Sequence, residues 1–318
     1  MKILFTFDPL KEYLEEVEQL KGQPMESMIE TNINRVSDRQ WNEVEALVTF
    51  GEDLKEIHIQ KAKHLKWIMV VSAGLELMPL EAIQKRDILV TNARGIHKIP
   101  MAEFTVGLML EHAKQFRVLL GHQENHSWHA GHSMNELHGK NVMIVGAGAI
   151  GTEIAKVLSV FGMNVHGVNS SGTVKKPFHS MHTLNTFKDA LPEVDFVINL
   201  LPSTNWTRFI FTKDHFTRMK PSAVFINIGR GDAVKEDVLL DVLKNKIIAF
   251  AFLDVFMMEP LPSNHPFWFL DNLVITPHVS SHSENYLRRA FEIFRHNLHT
   301  YINNKNTFTN IIDPKRGY

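Results

Sequence analysis

Short apolar runs of strand length alternate with stretches of helical period from one end of this 318-residue chain to the other. A run that is apolar on successive positions, and not on every second one, suits a strand buried on both faces. That is the condition inside a parallel sheet covered by helices. The runs at Lys2–Phe7, Ala46–Thr49, Trp67–Val71 and Ile88–Val90 form one expected series of strands. A second series is expected at Asn141–Val145, Asn164–Val168, Val194–Asn199, Ala223–Ile228, Ile247–Leu253 and Leu273–Thr276. No repeat of fixed period and no low-complexity tract interrupts the pattern. Two long helices are expected as connectors between domains. One begins near Ile99, with Pro100 in its first turn, where a missing N–H costs nothing, and continues through AEFTVGLMLEHAKQFRVLL. The other runs from about Ser281 to Asn303.

Composition removes several functional classes. Thirty-four Lys and Arg against 35 Asp and Glu leave a net charge of -1, without the basic excess that neutralises nucleic-acid phosphates. The chain has no cysteine, so disulfides, thiolate metal sites and a cysteine nucleophile are all excluded. Neither a secretory leader nor an apolar stretch of membrane-spanning length is read, so the expected location is the cytoplasm and no membrane partner is expected.

The sharpest local signal is NVMIVGAGAIGTEIAKVL at 141–158. Gly146, Gly148 and Gly151 form G-x-G-x-x-G directly after a strand-like run and at the opening of a helical one. The first glycine allows the tight turn, and the second lets backbone N–H groups approach a pyrophosphate. The third allows close packing of helix on strand. The turn therefore points to a bound dinucleotide, with Ala149 and Ile150 beside the glycines. Asn169 stands 23 residues after Gly146, near the place where a carboxylate would accept the adenosine ribose hydroxyls. Asn169, Ser170, Ser171 and Lys175 instead supply donors, without the charge that would repel a 2′-phosphate. NADP is accordingly favoured over NAD. Alternatively, the lysines solvate a loop and Asn169 serves NAD.

ELHGK at 136–140, NIGRG at 227–231, DVFMMEPLP at 254–262 and TPH at 276–278 follow one another in the order of a known family. With them the chain resembles the D-isomer-specific 2-hydroxyacid dehydrogenases over nearly its whole length, most densely from 136 to 282. The resemblance implies an α/β protein of two doubly wound parallel-sheet domains, Rossmann-like and flavodoxin-like, with a cleft between them. Residues 1–98 plus 284–318 would form the substrate (catalytic) domain and 99–283 the dinucleotide-binding Rossmann domain.

The same resemblance implies a catalytic trio of Arg230, Glu259 and His278. Glutamate at 259 argues against formate as substrate, since formate dehydrogenases of the superfamily carry glutamine there. Interconverting a 2-hydroxy and a 2-keto acid moves a hydride at carbon and a proton at oxygen. Histidine, with an ordinary pKa of about 6.5, can serve either direction. Glu259 on its other ring nitrogen would fix the tautomer and favour the imidazolium. Arg230 would polarise the carbonyl and grip the substrate carboxylate. Backbone amides of Ser72, Ala73, Gly74 and Leu75 are the further candidates for substrate binding. Leu201 and Pro202 would pack near the adenine, Thr207 near phosphate or ribose, Ile228 at a strand end, and Asp254 beside the nicotinamide amide. Asp254 could equally be a strand-end turn cap. Leu75, Met78, Trp268, Met257 and Met258 are candidates to line the substrate pocket. The family pattern further implies a homodimer, with the helix near Pro100 in the interface, although a buried intrachain helix would look the same, and with Trp128 packing at the domain or subunit interface.

The expected function is thus hydride transfer between NAD(P)(H) and a small 2-keto or 2-hydroxy acid. D-3-phosphoglycerate oxidation and a dinucleotide-sensing corepressor are the alternatives. His122, His126, His129 and His132 are spaced for one helical face and could bind zinc. Gly121, Gly131 and the Asn125–Ser127 stretch make that helix doubtful, and no metal is expected.

Overall fold

The computed structural model describes residues 1–19, 25–72, 74–75, 77–131, 133–303 and 305–313. They divide into two compact units, residues 1–96 with those from 283 onward, and His97–His282. In the first, β1 (Lys2–Phe5), α1 (Lys11–Glu18), β2 (Glu26–Ile29), α2 (Asp38–Glu43) and β3 (Ala46–Thr49) are followed by α3 (Glu56–Lys61), β4 (Trp67–Val70), α4 (Leu80–Lys85) and β5 (Leu89–Asn92). All pairings are parallel and the strand order is β2-β1-β3-β4-β5, the flavodoxin-like doubly wound arrangement. Strands β3 and β4 are buried at every position, as their unbroken apolar runs require. Strand β2 was not expected. It is a half-exposed edge strand, ESMI, with neither an apolar run nor a clean alternation to announce it.

The second unit opens with α5 (Lys98–Lys114) and α6 (Phe116–Glu124). The expected single helix breaks at Gln115, which sits at φ 54 in the left-handed region. The returning segment 133–135 secures the break. Gln115 Nε2 donates to the Ser133 carbonyl, Lys114 Nζ to the Asn135 carbonyl, and Asn135 N–H to the Ala113 carbonyl. Helix α5 buries Met101, Ala102, Val106, Met109 and Ala113 in its own unit, so its apolar character is largely accounted for there.

There follow β6 (Asn141–Val145), α7 (Ala149–Val160), β7 (Asn164–Val168), β8 (Ser180–His182), β9 (Phe196–Asn199), α8 (Lys213–Arg218), β10 (Val224–Asn227), α9 (Glu236–Lys244), β11 (Phe250–Leu253) and β12 (Leu273–Ile275). The sheet is parallel throughout, in the order β12-β11-β10-β9-β6-β7-β8. Its strand order reverses between β6 and β9, the topological switch point outside which open α/β sheets bind ligands. Strand β8, three residues reading SMH, is the second strand that no hydrophobic pattern revealed.

Helix α10 (Tyr286–Ile302) returns to the first unit and buries Ala290, Phe291, Phe294 and Leu298. Phe291 stacks on Tyr13 and Phe294 on Trp67, with ring centroids 4.3 and 5.5 Å apart. Trp67 is fully buried and donates its indole N–H to Thr91 Oγ1 at 2.9 Å. Among the described residues no helix is long and apolar enough to cross a membrane. Trp67→Ala should cost about 3–5 kcal/mol through cavity formation. A urea titration followed by far-UV circular dichroism should show this as an earlier unfolding midpoint.

Candidate active site

The glycine turn has the form its sequence demands. Gly146 lies at φ +113, and a Cβ there would come within 3.0 Å of Leu200 Cβ. A Cβ on Gly151 would stand 2.4 Å from the Gly146 carbonyl oxygen, so only glycine lets α7 start this close to β6. At Gly148, by contrast, a Cβ would meet nothing within 4 Å. Gly148 and Ala149 are exposed, Ile150 is half-buried, and the helix start carries neither a side-chain cap nor an acidic residue in its first turn. Open backbone N–H groups on the positive end of a helix are what a pyrophosphate needs. A dinucleotide therefore fits these residues.

Asn169 follows β7. Its Oδ1 accepts from the N–H groups of Ser171 and Gly172, at 3.1 and 2.6 Å, and from Ser171 Oγ. The carbonyl is thus engaged in shaping the 170–172 turn, which leaves the amide donors for a ligand. Lys175 Nζ donates to the Ala147 carbonyl at 2.7 Å, tying this loop to the glycine turn. Ser170 and Ser171 are exposed.

Two asparagines hold the next strand ends, Asn227 of the NIGRG motif and Asn199, which sequence reasoning did not single out. Asn199 and Asn227 are buried at the ends of β9 and β10 and share a hydrogen bond of 2.9 Å. Asn199 Oδ1 accepts from Leu201 N–H. Asn227 Oδ1 accepts from Gly229 N–H, and its amide donates to the Arg230 carbonyl at 3.0 Å. Their signal was position: polar residues ending otherwise apolar strands. Leu201 and Ile228 are buried in core clusters, whereas Pro202 is exposed. The Thr207 hydroxyl donates to the Pro202 carbonyl and accepts from Thr204 N–H, so its hydrogen bonds serve its own turn.

Asp254, after β11, is almost fully buried. Its carboxylate accepts from Thr276 Oγ1 at 2.6 Å and from the N–H groups of Val279 and Ser280 at 2.9 Å each. Its carbonyl accepts from His278 N–H at 2.8 Å. This is the turn cap weighed as the alternative reading of Asp254. The capped segment carries His278, whose φ of 54 is costly for a non-glycine residue and persists where the surroundings impose it. His278 Nδ1 lies 2.7 Å from Glu259 Oε2, and Glu259 Oε1 accepts from Phe256 N–H at 2.9 Å. An ionised carboxylate only accepts, so the Nδ1 proton is on the histidine and the neutral ring presents Nε2 as its basic atom. Arg230 is half-buried and donates to the Gly229 carbonyl. The loops of Arg230 and Glu259 touch through backbone, since a Cβ on Gly231 would fall 2.0 Å from the Phe256 carbonyl carbon.

In the other unit, Ser72 Oγ donates to the Gly74 carbonyl nearby and to the Phe50 carbonyl beyond the end of β3. Leu75 and Met78 are buried and packed in that unit's core. Met257, Met258 and Trp268 are exposed. Ala73 and His132 lie outside the described residues. Helix α6 ends at Glu124, so His126 and His129 lie beyond the helix that carries His122. The His122 and His129 rings are 5.4 Å apart, and no cluster of three metal-binding side chains occurs among the described residues. Trp128 is fully exposed in this chain.

The family model for the NAD-binding domain of D-isomer-specific 2-hydroxyacid dehydrogenases matches residues 106–280. Human glyoxylate reductase/hydroxypyruvate reductase is 34% identical over 229 residues, covering 69% of this chain and 68% of that protein. D-3-phosphoglycerate dehydrogenase of Methanocaldococcus jannaschii is 31% identical over 300 residues, which are 91% of this chain but 55% of that enzyme. A family protein from Aeromonas salmonicida has a structure that matches with a TM-score of 0.85 at 29% identity, covering 98% of this chain and 99% of that one. The chain belongs to the D-isomer-specific 2-hydroxyacid dehydrogenase family, and it is an NAD(P)-dependent oxidoreductase of that family.

The close approach at Gly231 gives a direct test. Gly231→Ala should drive the Arg230 and Glu259 loops apart and lower kcat about 100-fold, the scale of a 1 Å misplacement at a reacting centre. Steady-state assays beside a circular dichroism spectrum check that the loss occurs in a folded protein.

Proposed function

We propose that this protein reduces small 2-keto acids of the glyoxylate and hydroxypyruvate class to D-2-hydroxy acids with NADPH. The observation that carries the proposal is the 2.7 Å hydrogen bond between His278 Nδ1 and Glu259 Oε2, beside the loop of Arg230. Glu259 holds the Nδ1 proton and offsets the charge of the imidazolium. His278 Nε2 delivers its proton to the keto oxygen and is reprotonated from water. The Arg230 guanidinium stabilises the charge developing on that oxygen. When bound, the nicotinamide supplies the hydride. We assign substrate binding to Arg230 and His278, and a substrate role to the unit formed by residues 1–96 and 283 onward through the backbone amides of Ser72, Ala73, Gly74 and Leu75. Asp254, which fixes the His278 segment, is also our candidate for contact with the nicotinamide amide.

The case for NADP rests on the loop after β7. Its hydrogen bonds engage the Asn169 carbonyl internally, it carries Lys175, and it has no carboxylate from 169 to 175. Asn169, Ser170 and Ser171 can donate to a 2′-phosphate together with Lys175. The relatives named as glyoxylate or hydroxypyruvate reductases support the substrate class, and we place the protein in the cytoplasm. A homodimer is supported by the exposed apolar side chains of α6 and the segment after it, Phe116, Val118, Leu120, Trp128 and Met134. Beside them Arg117, Gln115 and Asn135 line a recess of about 460 Å³. Burial there pushes the Glu111 carboxyl up from its ordinary value.

Nicotinamide absorbance followed with NADPH and NADH against glyoxylate, hydroxypyruvate, pyruvate and D-3-phosphoglycerate tests the proposal. Turnover should favour NADPH with the small keto acids, and His278→Ala should lower kcat by about 10²–10⁴-fold. Lys175→Ala removes a charged hydrogen bond worth about 1.5–3 kcal/mol, so its KM for NADPH should rise about tenfold or more, and by a larger factor than that for NADH. Tight NADPH binding without turnover of any acid would point to a sensing role instead. In sedimentation velocity the protein should run as a dimer and Leu120→Glu as a monomer.

A further inference from the structure

We propose that Glu236 and His265 form a positioning pair for the Glu259–His278 couple. The proposal rests on the catalytic reading given above. Glu259 itself is lightly held. Its side chain is 36% exposed, and its hydrogen bonds are those to Phe256 N–H and to His278. An exposed glutamate with three rotatable bonds does not keep a fixed direction on such bonds alone, because ordering its side chain costs conformational entropy.

The loop around it is fastened from α9. Glu236, in the first turn of that helix, turns both carboxylate oxygens to the loop. Oε1 accepts from Met257 N–H at 3.2 Å, and Oε2 stands 3.4 Å from His265 Nε2. The two attachments lie on either side of Glu259. The tautomer of His265 is fixed by its own chain, since Nδ1 accepts from Phe267 N–H at 3.3 Å and the neutral ring must carry its proton on Nε2, toward Glu236. The far side of the loop is tightened by His265 N–H and Trp268 Nε1–H, which donate to the Pro262 carbonyl at 3.0 and 2.9 Å. Side-chain exposures of 29% for Glu236 and 18% for His265 shield this brace more than the couple it serves. One carboxylate therefore bridges both ends of the segment in which Glu259 sits.

The test combines kinetics with a readout independent of turnover. Glu236→Ala and His265→Gln should each lower kcat about tenfold, leaving the KM for NADPH and the thermal midpoint unchanged. Placed in a Glu259→Gln background, Glu236→Ala should cost nothing further, because its effect passes through Glu259. In ¹⁵N-histidine spectra, with His278 assigned from the spectrum of His278→Gln, the wild-type ring should be the Nδ1–H tautomer. Glu236→Ala should shift it toward Nε2–H. A wild type that turns over no keto acid would defeat the catalytic reading, and the tautomer shift would still decide the positioning role. Wild-type kcat and tautomer in Glu236→Ala would overturn the proposal. So would a full additional loss in the Glu259→Gln background, or a lowered thermal midpoint with the tautomer unchanged.

Discussion

A buried carboxylate with three donors organises the reactive end of the dinucleotide-binding unit. Asp254 ends β11, and through Thr276, Val279 and Ser280 it draws the chain beyond β12 into a turn it would not adopt unaided. A buried aspartate without such partners would be costly, and so would the N–H groups it satisfies. The two needs cancel, and the product is a histidine held at positive φ with its ring against Glu259. Strand ends supply the rest. Asn199 and Asn227 perform for β9 and β10 what Asp254 performs for β11, each using a short polar side chain to bend the chain as it leaves the sheet.

Parallel sheets suit this arrangement because every strand delivers its C-terminal end to one edge. The glycine turn, the Asn169 loop, the Arg230 loop and the His278 segment follow β6, β7, β10 and β12 in turn. Contact between neighbours is then a matter of backbone approach. Gly231 against Phe256 has no room for a methyl group, so the loops of Arg230 and Glu259 are set by the same contact. Rigidity at this level is what a hydride-transfer site requires, since misplacement by about 1 Å can cost 100-fold in rate.

Much of this was legible in the sequence, and the part that was not has physical causes. Unbroken apolar runs marked β3, β4 and β6, because strands covered on both faces have no polar side to confuse the pattern. Strands β2 and β8, short and partly exposed at sheet edges, left no such trace. The kink at Gln115 was invisible because the residues that stabilise it, Ser133 and Asn135, come 18 and 20 positions later. The glycine triplet and the types Arg230, Glu259 and His278 could be read directly from local spacing and family pattern. Their supports could not. Asn227, Thr276 and Glu236 are ordinary polar residues in the sequence and acquire meaning only through partners on other strands and helices.

In the proposed reaction His278 Nε2 and the Arg230 guanidinium act together on one oxygen of the substrate. A crystal structure with NADP and oxalate, an unreactive analogue of a small 2-keto acid, tests it most directly. Both groups should lie within hydrogen-bond distance of the same oxalate oxygen, with Glu259 still on His278 Nδ1. An oxalate held without His278, or a His278 ring turned away from Glu259 when the ligand binds, would contradict it.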